Sequence, residues 1–502
     1  MFAKFKKLFK PIDLTTGNVF KKLILFLIPI MLSSACLQLF NLTDSVVAGH
    51  FLSPEEIAGI NDVGALSNFS LMFAIGCSSG FAVVISHRFG KKDEEGIKKS
   101  FATNVMLMLI ITAILTIVSS LLVDQILSLL KITASGADAT KDLIYKSART
   151  YLLITFLGVG AIMFFNMIYA VLNALGESFV PFLFLVVGVA ANVVLDLLFM
   201  AVFKWGVLGA AIATVLTRLV SATLCLIYGL RKFKCLRFKF ADFKTSWKDL
   251  YAHLKLGLPL GFQFSILEIG IVIMQMAVIK FDYYPNGMAV PTSPAQVGYG
   301  VACQLGAILM LTYSSLGTGM MTYFGQNYGA KKYDRIKKGF TTSLLLGSIA
   351  WVLITAFGMC LTINNAFLHI FLSSSNITED VAYYANTYIW FTVPFQYFLM
   401  ILFLSRGSLQ GLNNSLFPFL AGVLELVTRS LICLFLPQYI NGGPINCDAS
   451  TASYISVCFA DVAAWVGAGL FMLVPFIIKV FKKKKVNQIE EQKDSSDQST
   501  IS

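Results

Sequence analysis

The sequence predicts an all-α integral membrane protein with twelve transmembrane helices in two pseudo-symmetric six-helix lobes, and three observations predict it. Of the 502 residues, 57% are hydrophobic and only 13% charged, with a mean hydropathy of +0.75, whereas soluble domains carry about 25% charged residues. Apolar runs fill most of the chain, and about 20 such residues cross a ~30 Å hydrocarbon core. One segment of the first half recurs in the second half at a constant offset, in the same orientation.

Apolar windows place the spans near residues 23–51, 57–86, 101–123, 143–173, 179–203, 207–230, 253–281, 297–325, 340–363, 382–412, 415–436 and 452–479. The second and eighth are rich in Gly and Ser, so their hydropathy is weaker than their neighbours'. This divides the chain into a basic arm (1–22), an N-lobe of six spans (23–230), a basic linker (231–252) read as a short interfacial helix, a C-lobe of six spans (253–480) and a polar, disordered tail (481–502). The run that follows the basic arm is about 29 residues long with no small-residue cleavage site, so it reads as the first span rather than a removed signal.

The net charge of +12 does not point to nucleic acid, because its distribution is topological. Five segments (the arm, Arg88–Lys99, Arg231–Lys255, Lys331–Lys338 and Lys479–Lys493) hold 30 of the 39 Lys and Arg. The intervening loops near Ser53–Glu56 and Tyr283–Gln296 are nearly free of them. The positive-inside bias then places both termini in the cytoplasm. The nine cysteines are scattered singly with no CxxC pair, which supports neither a disulfide framework nor a metal cluster. No Glu-x-x-His or His-x-x-x-His spacing and no phosphate-binding GxxxxGK[ST] loop occurs, so a metal site and ATP hydrolysis are both unsupported. What remains is an ion gradient or no energy source at all.

The repeat pairs Gly80–Phe101 with Gly319–Phe340 at an offset of 239: Gly80 with Gly319, Gly90 with Gly329, Lys92 with Lys331, and Ile97, Lys98, Lys99 and Phe101 with Ile336, Lys337, Lys338 and Phe340. Leu172–Leu183 pairs with Leu409–Leu420 at an offset of 237, including Pro181 with Pro418. Six spans separate equivalent points, so the repeat is parallel, the lobes are related by an axis along the membrane normal, and the transport path runs between them.

Charges inside spans cost several kcal/mol and are candidates for function. Asp44 lies late in the first span. Asp196 lies in the fifth, with Asn192 one turn before it on the same face. With Asn166 and Tyr151 from the fourth span they offer an oxygen-rich pocket suited to a proton or a small hard cation such as Na⁺. Placement of either acid at the outer water boundary is the alternative. In the C-lobe, Glu268 has no partner within a turn, whereas Glu425 and Arg429 are spaced for an internal ion pair. Arg218 and Arg406 receive no role. Pro29 and Pro259, in the first and seventh spans, each remove a backbone hydrogen bond and can act as hinges or as static kinks.

Several stretches together, namely LTTGNVFKKLILFLIPIML, FNLTDSVVAGHFLS, the Gly-bounded basic loop after the second span, ALGESFVPF and FKWGVLGAAIAT, resemble the multidrug and toxic compound extrusion family. The resemblance covers residues 15 to 480, and the Asp44, Asn192 and Asp196 set is similar to the prokaryotic branch named after the DNA-damage-inducible protein F. It implies a V-shaped, two-lobed bacterial plasma-membrane transporter. Such a protein is monomeric in the lipid bilayer and is not an enzyme. It exports amphipathic drugs and small organic cations by alternating access, in exchange for H⁺ or Na⁺ and with no other cofactor. It also implies coupling or substrate roles for Asp44, Asn166, Asn192, Asp196 and Tyr151, with Na⁺ as a possible ligand of Asp44, Asn192 and Asp196. Glu268 matches an acidic residue of a different, Na⁺-linked branch. The rival readings are a flippase for lipid-linked oligosaccharide or cell-wall precursors, which needs a cationic cavity, a membrane enzyme using Asp44 and Asp196 as acid and base, and a passive channel.

Overall fold

The computed structural model describes residues 11–130, 132–134 and 138–478. Residues 1–10 of the basic arm and the whole tail 481–502 lie outside the described residues. The first lobe comprises α1 (Val19–Phe51), α2 (Pro54–Gly90), α3 (Glu94–Leu121), α4 (Ala139–Ala174), α5 (Phe179–Asp196) and α6 (Val207–Lys232). The second comprises α7 (Trp247–Ile279), α8 (Pro294–Gly329), α9 (Tyr333–Thr362), α10 (Glu379–Thr392), α11 (Gln396–Gly411), α12 (Leu416–Asn441) and α13 (Thr451–Ile477). Eleven of these are long and apolar enough to cross a membrane, and α10 with α11, bent by 55°, makes the twelfth.

Local chemistry sets the helix starts. The Asn18 side chain accepts from the Lys21 N–H at the head of α1, and Ser53 with Glu56 forms a capping box ahead of Pro54 at α2. Asp93, Ser246, Thr378 and Ser450 cap α3, α7, α10 and α13 in the same way. Apolar side chains such as Ile117, Leu353 and Phe435 stay exposed on the outer faces, as lipid-facing helices require.

The parallel repeat is visible in packing. A Cβ on Gly59 would strike Ile144 O, Ala148 N and Ser147 Cβ of α4, and one on Gly298 would strike Val381 O, Ala385 N and Tyr384 Cβ of α10. These contacts correspond residue for residue at offsets of 239 and 237, so each lobe needs glycine at the same helix crossing. Left-handed backbone recurs likewise, at Lys92 and Lys331 (φ 59° and 55°) and at Gly176 and Asn413 (φ 81° and 61°).

The lobes meet on the side of the basic loops. There α2 packs on α7 so closely that a Cβ on Gly80 would fall 2.6 Å from the Gly257 Cα. The seam runs from the Ser265 hydroxyl, which donates to Phe69 O at 3.0 Å, to the Arg88–Asp249 ion pair. The contact of α8 with α1 is its pseudo-symmetric counterpart, but there Gly319 faces the Leu27 side chain rather than a glycine. About the axis, Gly90 abuts the Gln326 backbone and Gly329 abuts the His87 backbone, and 87 and 326 are themselves equivalent positions. Residues 12–17 form a strap across the seam. The Ile12 N–H donates to Gly176 O, the Leu14 N–H to Gln326 Oε1, and Arg335 donates to the carbonyls of Leu14, Thr16 and Gly17.

Two expectations differ in detail. The linker is not one interfacial helix but two 3₁₀ turns, Lys234–Leu236 and Phe240–Phe243, with α7 beginning at Trp247. Its Asp242 accepts from the Lys239 N–H and pairs with Lys98 at 3.2 Å, so its charges tie the linker to α3 rather than lining one helix face. The tenth span is broken, because Pro394 interrupts it and Trp351 Nε1 takes up the Pro394 carbonyl at 3.0 Å. By contrast α1 and α7 run unbroken through Pro29 and Pro259.

Candidate functional site

Three groups of polar residues lie within the bilayer-spanning part: an acid pair in the N-lobe, an ion network in the C-lobe, and a cavity between them.

In the N-lobe, α1 delivers Asp44 and α5 delivers Asp196, whose carboxyl groups face each other at hydrogen-bonding range. Asp44 Oδ2 accepts from Thr214 Oγ1 of α6 at 3.3 Å, whereas Asp44 Oδ1 and Asp196 Oδ2 are buried with no donor among the described residues. Asn192 is fully buried one turn before Asp196, and neither its Oδ1 nor its Nδ2 has a partner among the described residues. Tyr151 lies close enough to interact electrostatically with Asp44, its hydroxyl near Thr155. Arg218, one turn beyond Thr214, also acts on Asp44, with its guanidinium over the rings of Phe40 (4.5 Å) and Phe165 (5.4 Å). Immediately after Asp196 the helix widens into a π-helix, Leu197–Val202, a local form that concentrates at functional sites.

Sequence reasoning therefore assembles Asp44, Asn192, Asp196 and Tyr151 and misses Thr214 and Arg218. A signal for Arg218 exists, since an arginine inside an apolar span needs a partner and Asp44 is one. Asn166 belongs elsewhere: its amide donates to Ile162 O at 2.8 Å and its side chain lines the cavity between the lobes. Glu268 is in the C-lobe, half-buried on the α7 stripe that continues from Gly261 and Ser265, with no hydrogen bond or ion pair among the described residues.

In the C-lobe, Glu425 and Arg429 do belong to one network, but their mutual distance of 3.8 Å is its longest link. Glu425 is held by Arg406 of α11, Arg429 Nε donates to Asp461 of α13 at 2.8 Å, and the Tyr388 hydroxyl donates to Asp461 at 2.8 Å. The charges alternate, two arginines with two carboxylates, and all four side chains are buried. Asp461 and Arg406 were not assigned from sequence because their partners lie on other helices.

The cavity has a volume of about 270 Å³ and is lined by residues of both lobes. Its lining repeats across the axis: Ser79 answers Thr318, Tyr169 answers Arg406, and Asn173 answers Gln410. Ten such pairs account for 20 of the 24 lining residues, so the cavity sits on the pseudo-two-fold axis.

Comparison with known proteins agrees with this architecture. The chain is 29% identical over 332 residues to the probable multidrug resistance protein YpnP of Bacillus subtilis (strain 168), covering 65% of this chain and 69% of that one. It is 21% identical to the multidrug export protein MepA of Staphylococcus haemolyticus (strain JCSC1435), covering 84% and 93%. A solved structure described as the outward-facing conformation of a multidrug resistance MATE family transporter of the MOP superfamily superposes with a TM-score of 0.80 at 20% identity, covering 95% of this chain and 99% of that one. A family profile described as MatE matches residues 29–198 and 292–435, which is more than half of the sequence, and the chain belongs to the MatE family.

Proposed function

We propose that this protein is a secondary active exporter of amphipathic compounds, driven by inward movement of H⁺ or Na⁺ and working by alternating access. The observation that carries the reading is the Asp44–Asp196 pair. Two carboxylates face each other, one oxygen of each lacks a donor, and a single arginine, Arg218, stands beside them. If both acids are ionised the group has one negative charge in excess, and one proton or one monovalent cation balances it. Asn192, with both amide atoms unpartnered, is positioned on the Asp196 face to contribute an oxygen to such a cation.

Neutralising the pair removes the repulsion between α1 and α5 and lets the π-helical turn after Asp196 repack. Of the two, α1 also lines the cavity, through Ile30, Ser34 and Leu37, so cation loading at Asp44 is coupled through α1 to the shape of the cavity. The export names of the relatives and the shared fold support the direction of transport. The positive-inside bias supports cytoplasmic termini in a bacterial cell membrane. The protein acts as a monomer in the bilayer, with Pro29 and Pro259 as points where α1 and α7 bend.

The test is dye efflux from proteoliposomes under a Na⁺ gradient or a pH gradient imposed separately. Wild type responds to one of them and Asp44→Asn, with unchanged folding, does not; unimpaired gradient-driven efflux by Asp44→Asn refutes the assignment. The flippase reading has one observation in its favour, because the charged residue that lines the cavity is Arg406. The cavity volume favours a smaller cargo.

A further inference from the structure

We propose that the central cavity seats the carboxylate of its substrate on the Arg406 guanidinium, so that the transported molecules are amphipathic organic acids or zwitterions rather than simple organic cations. This rests on the export reading and assigns its substrate class. Arg406 is the one charged side chain among the 24 that line the cavity. It is 4% exposed, and its Nε–H is buried without an acceptor among the described residues. A buried charged donor left unpaired is costly, and a ligand oxygen relieves it.

The rest of the C-lobe network fixes the polarity. Glu425 and Asp461 compensate Arg406 and Arg429 in total charge, yet neither carboxylate lines the cavity. The positive end of a neutral cluster therefore faces inward. The acids of the N-lobe do not line the cavity either, so no negative side chain there complements a lone organic cation. Across the axis Tyr169 occupies the position equivalent to Arg406, offering a ring to an aromatic substrate, and Asn173 and Gln410 flank the two. At about 270 Å³ the cavity sits just under the range of drug-sized sites, about 300–1,000 Å³, which suits a compact aromatic acid better than a lipid diphosphate.

The experiment is equilibrium binding to the purified full-length protein in detergent, without any gradient. The probes are a xanthylium dye with a free carboxylate and the methyl ester of the same dye. Wild type binds the acid about tenfold more tightly than the ester, the scale of one charge-assisted hydrogen bond. Removing Arg406 alone strands Glu425 in the lobe, so the decisive variant is Arg406→Gln/Glu425→Gln, which loses the preference. If that variant fails to elute as a folded monodisperse species, Arg406→Lys decides, because an ammonium cannot reproduce the planar fork and the preference falls several-fold. Equal affinity of wild type for acid and ester overturns the proposal, as does a preference that survives in the folded variants. Binding of short-chain phosphatidylglycerol with neither dye bound overturns it in favour of a lipid phosphate. Because no gradient is applied, failure of ion-driven efflux leaves this result standing, and loss of the acid preference leaves the export reading standing.

Discussion

The α2–α7 seam makes Gly80→Ala a sensitive probe of how the lobes separate. Its new Cβ would lie 2.6 Å from the Gly257 Cα and 2.7 Å from Leu256 O. Both are backbone atoms, so no side chain can turn aside. Restoring ordinary contact at 3.4 Å parts the helices by about 0.8 Å, the difference between 3.4 and 2.6 Å. Overpacking of this kind costs about 1–3 kcal/mol, and the cost falls only on the state in which the seam is closed. At about 2 kcal/mol, with about 1.4 kcal/mol per tenfold change, the population with the seam open rises about 30-fold. Cys77 reports it: the thiol is fully buried and packs against Gly261 on the same seam. Alkylation by N-ethylmaleimide, followed by mass spectrometry with the other cysteines as internal references, is expected to quicken at Cys77 by that factor. An unchanged Cys77 rate in folded Gly80→Ala would show that the seam does not open, or that it tolerates the methyl group, and either result refutes the argument.

Other substitutions test other parts of the molecule. Arg335→Ala removes three donations to the strap carbonyls of Leu14, Thr16 and Gly17, at 3.0, 3.0 and 2.7 Å, for a loss of about 2 kcal/mol after allowing for solvent at the exposed end. Amide exchange over residues 12–17 should accelerate about 30-fold, and protection equal to wild type would mean that the strap is held elsewhere. Asp461→Asn strands Arg429 in the C-lobe, for which about 3 kcal/mol of destabilisation is expected. A lowered thermal unfolding midpoint in detergent checks it, and an unaltered midpoint would show that Glu425 alone suffices.

Much of the architecture was legible because a bilayer imposes simple rules. Spans follow from apolar length, orientation from the Lys and Arg bias, and the two lobes from the Gly80–Phe101 repeat. The interruptions were less legible. Pro394 stands in the sequence, but a proline alone does not separate a 55° break from the unbroken passage of α1 through Pro29; what differs is the neighbour, Trp351, that takes up a carbonyl at the break. Within the site, Asp196 and Asn192 shared a face by helical spacing alone. Thr214 and Asp461 were illegible because their partners lie on other helices, at separations that periodicity does not reach; Arg218 carried a signal as an arginine inside an apolar span, but its spacing did not name Asp44 as the partner. Asn166 went to the cavity because α4 presents that face to the axis rather than to α5.

The duplicated scaffold also shows where the two lobes parted company. At the offset of 237, Asn192 of α5 corresponds to Arg429 of α12, Asp196 to Cys433, and Gly188 to Glu425. The N-lobe positions thus carry an amide and an acid where the C-lobe carries a cation and a thiol. In the C-lobe the added cation is answered by Glu425 and Asp461, the charges cancel within one network, and a Tyr388 hydrogen bond completes it. In the N-lobe no cation among the described residues answers the second carboxylate. A closed, neutral network has no reason to exchange ions with solvent, whereas a pair with one charge in excess changes its energy each time a cation arrives or leaves. On the function proposed above, that difference becomes a division of labour: the N-lobe responds to the ion, the C-lobe presents a fixed arginine to the cargo, and the cavity on the axis between them is where the two are coupled.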